Sequence, residues 1–117
     1  MERQRRGDRT RPMWAAVKET AHSEISRLDG HIQELFGKRL DQVGFIGKAK
    51  SHLGEEINEP DREEKVLRDW EQRFQKMGFL PGAGTKIGQA VVEVYQDEQR
   101  ASKERGDYRP KRKFFRT

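Results

Sequence analysis

The chain has 117 residues, enough for one domain with a single modest core. Hydrophobic residues make up 32% and charged residues 38%, against roughly 45–50% and about 25% in an ordinary globular domain, so either much of the surface is solvated or a partner completes the burial. There are no cysteines, which excludes disulfides, thiolate metal sites and a cysteine nucleophile, and no apolar run approaches the roughly 20 residues that span a bilayer.

The formal net charge is +5, and its distribution says more than its size. Residues 1–11 carry Arg3, Arg5, Arg6, Arg9 and Arg11 against Glu2 and Asp8. This segment reads as a basic N-terminal arm. It lacks the apolar stretch of a secretory signal, and its acidic residues argue against a mitochondrial transit peptide, so the expected location is the cytoplasm or an organelle matrix. Subtracting the two basic ends leaves a slightly acidic body.

From Trp14, apolar residues fall at Val17, Ala21, Ile25, Leu28, Ile32 and Leu35, holding one face of a helix for about six turns. Thr10 and Pro12 suit its first turn, and Gly37 is placed to end it. Over 40–57 the residues Leu40, Val43, Ile46, Ala49 or Lys50, Leu53 and Ile57 keep helical spacing. Gly44, Gly47 and Gly54 interrupt them, which predicts a shorter or broken helix. Asn58-Glu59-Pro60-Asp61 reads as a helix start. Val66, Leu67, Trp70, Phe74 and Met77 continue that helix to Gly78, where Phe79 is placed to pack back on the last turn. After a turn-rich stretch, Thr85 is positioned to cap a further helix through Ile87, Val91, Val94 or Tyr95 and Ala101, which Gly106 should stop. The expected fold is all-α: a small bundle of three to four helices over residues 12–106, with extended basic arms. Trp14, Trp70, Phe74 and Phe79 lie on apolar stripes and are expected in the core.

Residues 107–117 form the second basic arm. Arg109, Lys111, Arg112, Lys113 and Arg116 interleave with Tyr108, Phe114 and Phe115. Cations neutralise phosphates without regard to base sequence, and aromatic rings stack on unpaired bases for roughly 1–3 kcal/mol each. Together these suit RNA or single-stranded DNA better than cations alone would, with RNA favoured.

Gly82-Ala83-Gly84-Thr85-Lys86-Ile87-Gly88 fails both common phosphate-loop patterns, because Lys86 follows Thr85 and Ile87 occupies the place of a third glycine. A narrower expectation survives, in which the amides at Gly84 to Lys86 and the Lys86 ammonium hold one phosphate. The plainer reading is a turn in which Gly84 and Gly88 permit close helix packing. Glu55, Glu56 and Glu59 have the spacing of the magnesium carboxylates of all-α nucleotide pyrophosphohydrolases, but the companion Glu-x-x-Asp is absent and Pro60 interrupts the helix. His22, His31 and His52 lack metal spacing.

These features predict a non-enzymatic nucleic-acid-binding structural subunit of a ribonucleoprotein, with RNA favoured over DNA and neighbouring protein subunits as further partners. They predict no membrane, no cofactor and no small-molecule substrate. One alternative is a small protein-binding regulator or assembly adaptor acting through its helical face. Another is a helix-turn-helix DNA-binding protein presenting Lys48, Lys50, Ser51 and His52 to a groove.

Overall fold

Residues 2–53 form one helix where the spacing predicts an arm followed by two helices. The computed structural model describes the backbone of residues 2–107 and the side chains of residues 9–107. Among the described residues the protein is all-α, with α1 (Glu2–Leu53), α2 (Pro60–Lys76) and α3 (Ala83–Arg105) and no strand. None of these helices is long and apolar enough to cross a membrane.

The expected extended N-terminal arm is thereby corrected, because Arg3, Arg5, Arg6, Arg9 and Arg11 lie within α1. Arg, Gln and Glu are good helix formers, so the segment continues the helix on its N-terminal side. Pro12 sits inside α1 as well. The expected stop at Gly37 also fails. A glycine ends a helix when it turns to positive φ, and the glycines that do so are Gly54, Gly78, Gly82 and Gly106. In an otherwise favourable run, an interior glycine costs only about 1 kcal/mol relative to alanine. At the true end of α1, Gly54 adopts φ 68°, and the Glu55 amide donates to the Lys50 carbonyl at 2.9 Å.

The chain divides into two compact units, Met1–Gly37 and Lys38–Thr117. In the first, Trp14, Val17, Ile25, Leu28, Ile32 and Leu35 are all exposed, which corrects the expectation that Trp14 belongs to the core. A long apolar stripe left open at steps of three and four is the pattern of a helix that packs along another surface.

The second unit holds the core. α2 begins with Pro60 in its first turn and Asp61 and Glu63 near its positive end, where carboxylates are favoured and the missing proline N–H costs nothing. It ends in a tight reversal: Gly78 is at φ 95°, the Phe79 amide donates to the Phe74 carbonyl at 3.0 Å, and the Phe79 ring lies 4.6 Å from that of Phe74. α3 then returns antiparallel along α2. Its buried face is Gly84, Gly88, Val91, Tyr95 and Gln99, one residue per turn. A β-carbon on Gly84 would lie 2.4 Å from the Trp70 carbonyl oxygen, and one on Gly88 would lie 3.1 Å from the Trp70 side chain. The two glycines are therefore what lets α3 approach α2. Val43 of α1 joins Val91 and Tyr95 in the core, with Leu40 and Trp70 packed against them.

Candidate functional site

The predicted phosphate site at the start of α3 is already filled by the protein. α3 starts at Ala83 after Gly82 in the left-handed conformation, with no side-chain cap from its own first residues. The Glu71 carboxylate reaches across from α2 instead. One oxygen accepts from the Gly82 amide at 2.8 Å and the Gln75 side chain at 2.7 Å. The other accepts from the Thr85 amide at 2.8 Å and the Thr85 hydroxyl at 2.7 Å. Thr85 is thus a donor to the cap rather than the cap itself. The Lys86 amide is spent on the Gly82 carbonyl at 3.0 Å, and Lys86 is exposed.

These bonds, from Gln75 first and then from Gly82 and Thr85, hold the Glu71 carboxyl down at about 2 from its usual 4.5. A carboxyl depressed on folding stabilises the fold above its unfolded pKa and loses that contribution as pH falls through the folded one. Comparing urea midpoints of the wild type and Glu71→Gln across pH 7 to 2 should therefore show the largest gap above about pH 4.5, closing towards pH 2.

The other predicted contacts do not assemble into a site. Arg9 and Arg11 are exposed on α1, whereas Tyr108, Arg109, Lys111, Arg112, Lys113, Phe114, Phe115 and Arg116 lie outside the described residues. His22, His31 and His52 are exposed, and among the described residues no cluster of His, Asp and Glu is arranged to hold a metal.

Among the described residues, the polar side chains brought together from distant parts of the sequence near the core lie within the second unit. Lys50 and Gln99 are its buried polar residues, 8% and 7% exposed. Lys50, in the last turn of α1, donates to the Ile57 carbonyl at 2.7 Å and pairs with Glu59 at 3.1 Å. An ammonium has three donors, so these two contacts fix its direction and leave one N–H for a ligand oxygen. Arg39 lies eleven residues earlier, about three turns, which returns it to the same face of α1. Its guanidinium sits 4.4 Å from the centre of the Tyr95 ring. One turn on along each helix, the Gln99 amide donates to the Val43 carbonyl at 3.4 Å. The contacts step in the same sense along α1 and α3, so these stretches run parallel. The result is two fixed cations and a buried amide on a pair of packed helices.

The helix-turn-helix expectation fails on the same geometry, because Lys50 is buried and bonded where a groove contact would have to be exposed. Arg39, Glu59, Tyr95 and Gln99 were not legible as a site. The available signal was a cation at a core position, since Lys50 falls on the apolar spacing of 40–57 and Arg39 shares its face.

In comparisons with known proteins, the family described as chorismate mutase type II matches residues 21–100. The chain belongs to the chorismate mutase type II family. Among curated proteins, the T-protein of Haemophilus influenzae is 39% identical over 57 residues, a match covering 49% of this chain and 15% of that relative. The chain therefore spans only a small part of the relative's length. No solved structure matches the chain.

Membership in this family overturns the expectation of a non-enzymatic ribonucleoprotein subunit, and with it the adaptor and DNA-binding alternatives. It also overturns the expected nucleic-acid partner and the expected lack of a small-molecule substrate, since the family is named for chorismate. Basic residues at both ends misled because charge composition reports potential partners without reporting whether side chains converge.

Proposed function

We propose that the second unit binds chorismate and catalyses its intramolecular rearrangement. Chorismate is a dicarboxylate bearing an enol ether, and a mutase reaction moves one part of a molecule onto another without an external nucleophile. Such a step is accelerated by holding the substrate in its reactive conformer and by fixed donors aimed where charge develops. The observation that carries the reading, beside the family match, is the buried Lys50 ammonium held by Ile57 and Glu59 with a donor to spare.

In this reading Arg39 binds one carboxylate. The Tyr95 ring beneath it sets the plane of the guanidinium, and stacking of this kind contributes about 0.5–2 kcal/mol. Lys50 donates to the other end of the substrate, at the oxygen that gains negative charge as the ether bond breaks. Gln99 adds a neutral donor, exchanging its long contact to Val43 for a shorter one to substrate. A cytoplasmic location suits an enzyme acting on a small anionic metabolite.

The test is direct. The purified chain should consume chorismate, followed by loss of its ultraviolet absorbance and by chromatographic appearance of an isomer of the same mass. Failure to turn over or bind chorismate at millimolar concentration would sink the proposal. Arg39→Gln should raise KM at least about tenfold, the scale of one charge-assisted contact, while the stability read from a urea titration falls by no more than the about 0.5–2 kcal/mol of the lost ring contact.

A further inference from the structure

The segment between α1 and α2 is tied down from two sides. From α1, Lys50 holds the Ile57 carbonyl and the Glu59 carboxylate. From α3, the Arg100 guanidinium donates to the Asn58 side-chain oxygen at 3.1 Å, across 42 residues of sequence. The same guanidinium is steadied on its own helix by Asp97 at 3.0 Å. Asn58 lies between the two residues that grip Lys50. Its neighbours Gly54, Glu55 and Glu56 are exposed, and Glu59, the residue before α2, makes no side-chain cap bond. Backbone bonds hold the two ends of the segment, the Glu55 amide on the Lys50 carbonyl and the Glu63 amide on the Glu59 carbonyl, both at 2.9 Å, and the Arg100–Asn58 bond is the side-chain contact that ties its middle to α3.

We propose that Arg100 and Asn58 are positioning residues for the reaction: their hydrogen bond latches the 54–59 segment to α3 and thereby sets the direction of the Lys50 ammonium. Neither touches the substrate. The catalytic consequence of the latch rests on the chorismate reading, whereas the latch itself is a property of the segment. A lysine on a four-carbon stem is a mobile point charge. Two acceptors on a loose segment would move with it, whereas acceptors anchored to a core helix hold it still. Small misplacements of a catalytic group cost rate steeply.

The experiment uses the full chain and two readouts. In steady-state kinetics on chorismate, Asn58→Ala and Arg100→Gln should each lower kcat about tenfold with KM within about twofold, and the double variant should be no worse than either single one, because both remove the same bond. Asn58→Asp, which offers Arg100 a carboxylate, should keep wild-type kcat. Asp97→Ala, which leaves the Asn58 bond in place, should cost much less than Arg100→Gln. In a Lys50→Gln background, Asn58→Ala should have no further effect. Additive losses in that background, or unchanged kcat in both single variants, would overturn the proposal.

The second readout is amide hydrogen exchange. Asn58→Ala should speed exchange at Glu55 and its neighbours at least about tenfold while leaving the α3 amides unchanged. If the wild type fails to act on chorismate, the functional reading falls, but the exchange result still decides whether the latch exists. Unchanged exchange at 55–59 would show that it does not.

Discussion

Replacing Lys50 with Gln is expected to lower kcat/KM for chorismate by about 10²–10³-fold, the loss typical of removing one preorganised donor from a site of developing charge. The size of the effect follows from burial. At 8% exposure the ammonium has given up most of its water, and the Ile57 carbonyl at 2.7 Å and Glu59 at 3.1 Å replace only part of that shell. A substrate oxygen supplies the remaining partner, in surroundings where a charged contact is stronger than in water. Most of the loss should fall on kcat, since the charge it meets is larger in the transition state than in the ground state.

Lys50→Arg should restore little. A guanidinium is a planar fork rather than a compact point charge, and the two acceptors that fit an ammonium do not present that geometry. Glu59 is partly exposed and takes up water when its partner is removed, so Lys50→Gln should still fold. Steady-state kinetics beside a urea titration separates the two effects. Activity within about threefold of the wild type in a folded Lys50→Gln protein would remove Lys50 from the site.

The largest effect on stability is expected at Gly84. In Gly84→Ala the new methyl would stand 2.4 Å from the Trp70 carbonyl oxygen and 2.7 Å from the Glu71 α-carbon. Both are backbone atoms of α2, so relief requires one helix to move off the other. Overpacking of a tight contact typically costs about 1–3 kcal/mol and occasionally more, and this one belongs at the upper end. Moving α3 away would also pull Gly82 and Thr85 from Glu71 and open the core around Val91 and Tyr95.

Gly88→Ala provides the graded comparison. Its methyl meets side-chain atoms of Trp70 and Leu67 at 3.1–3.2 Å, which can shift by a few tenths of an ångström, so about 1 kcal/mol is expected. Gly30→Ala should go the other way. Nothing lies within 4 Å of its added methyl, and alanine in a helix interior is favoured over glycine by about 0.5–1 kcal/mol. Urea midpoints at constant slope should therefore rank Gly30→Ala above the wild type, then Gly88→Ala, then Gly84→Ala. A Gly84→Ala midpoint equal to that of Gly88→Ala would contradict the close approach of α3 to Trp70.

The part of the fold governed by near neighbours in the chain can be read from the residues alone. Pro60 opening α2, Gly78 and Gly106 closing α2 and α3, Phe79 folding back on Phe74, and the all-α class all follow from capping chemistry and helical spacing within a few residues. The close packing at Gly84 and Gly88 was also legible, as the plainer of two readings of that glycine-rich turn.

The remaining features emerge on folding, because they depend on residues far apart in the chain. Whether Gly37 breaks α1 or is carried through it is a difference of about 1 kcal/mol, smaller than the packing and flanking propensity that settle it. The narrower reading of the α3 start as a phosphate site is ruled out by Glu71, fourteen residues before Thr85, which takes up its donors. Lys50 looked like a surface cation because sequence shows its charge but not its burial. Asn58 and Glu59 read as a helix start, and nothing in the spacing singled out Arg100. Packing brought them together from 42 residues apart, and a hydrogen bond over that distance leaves no periodicity to read.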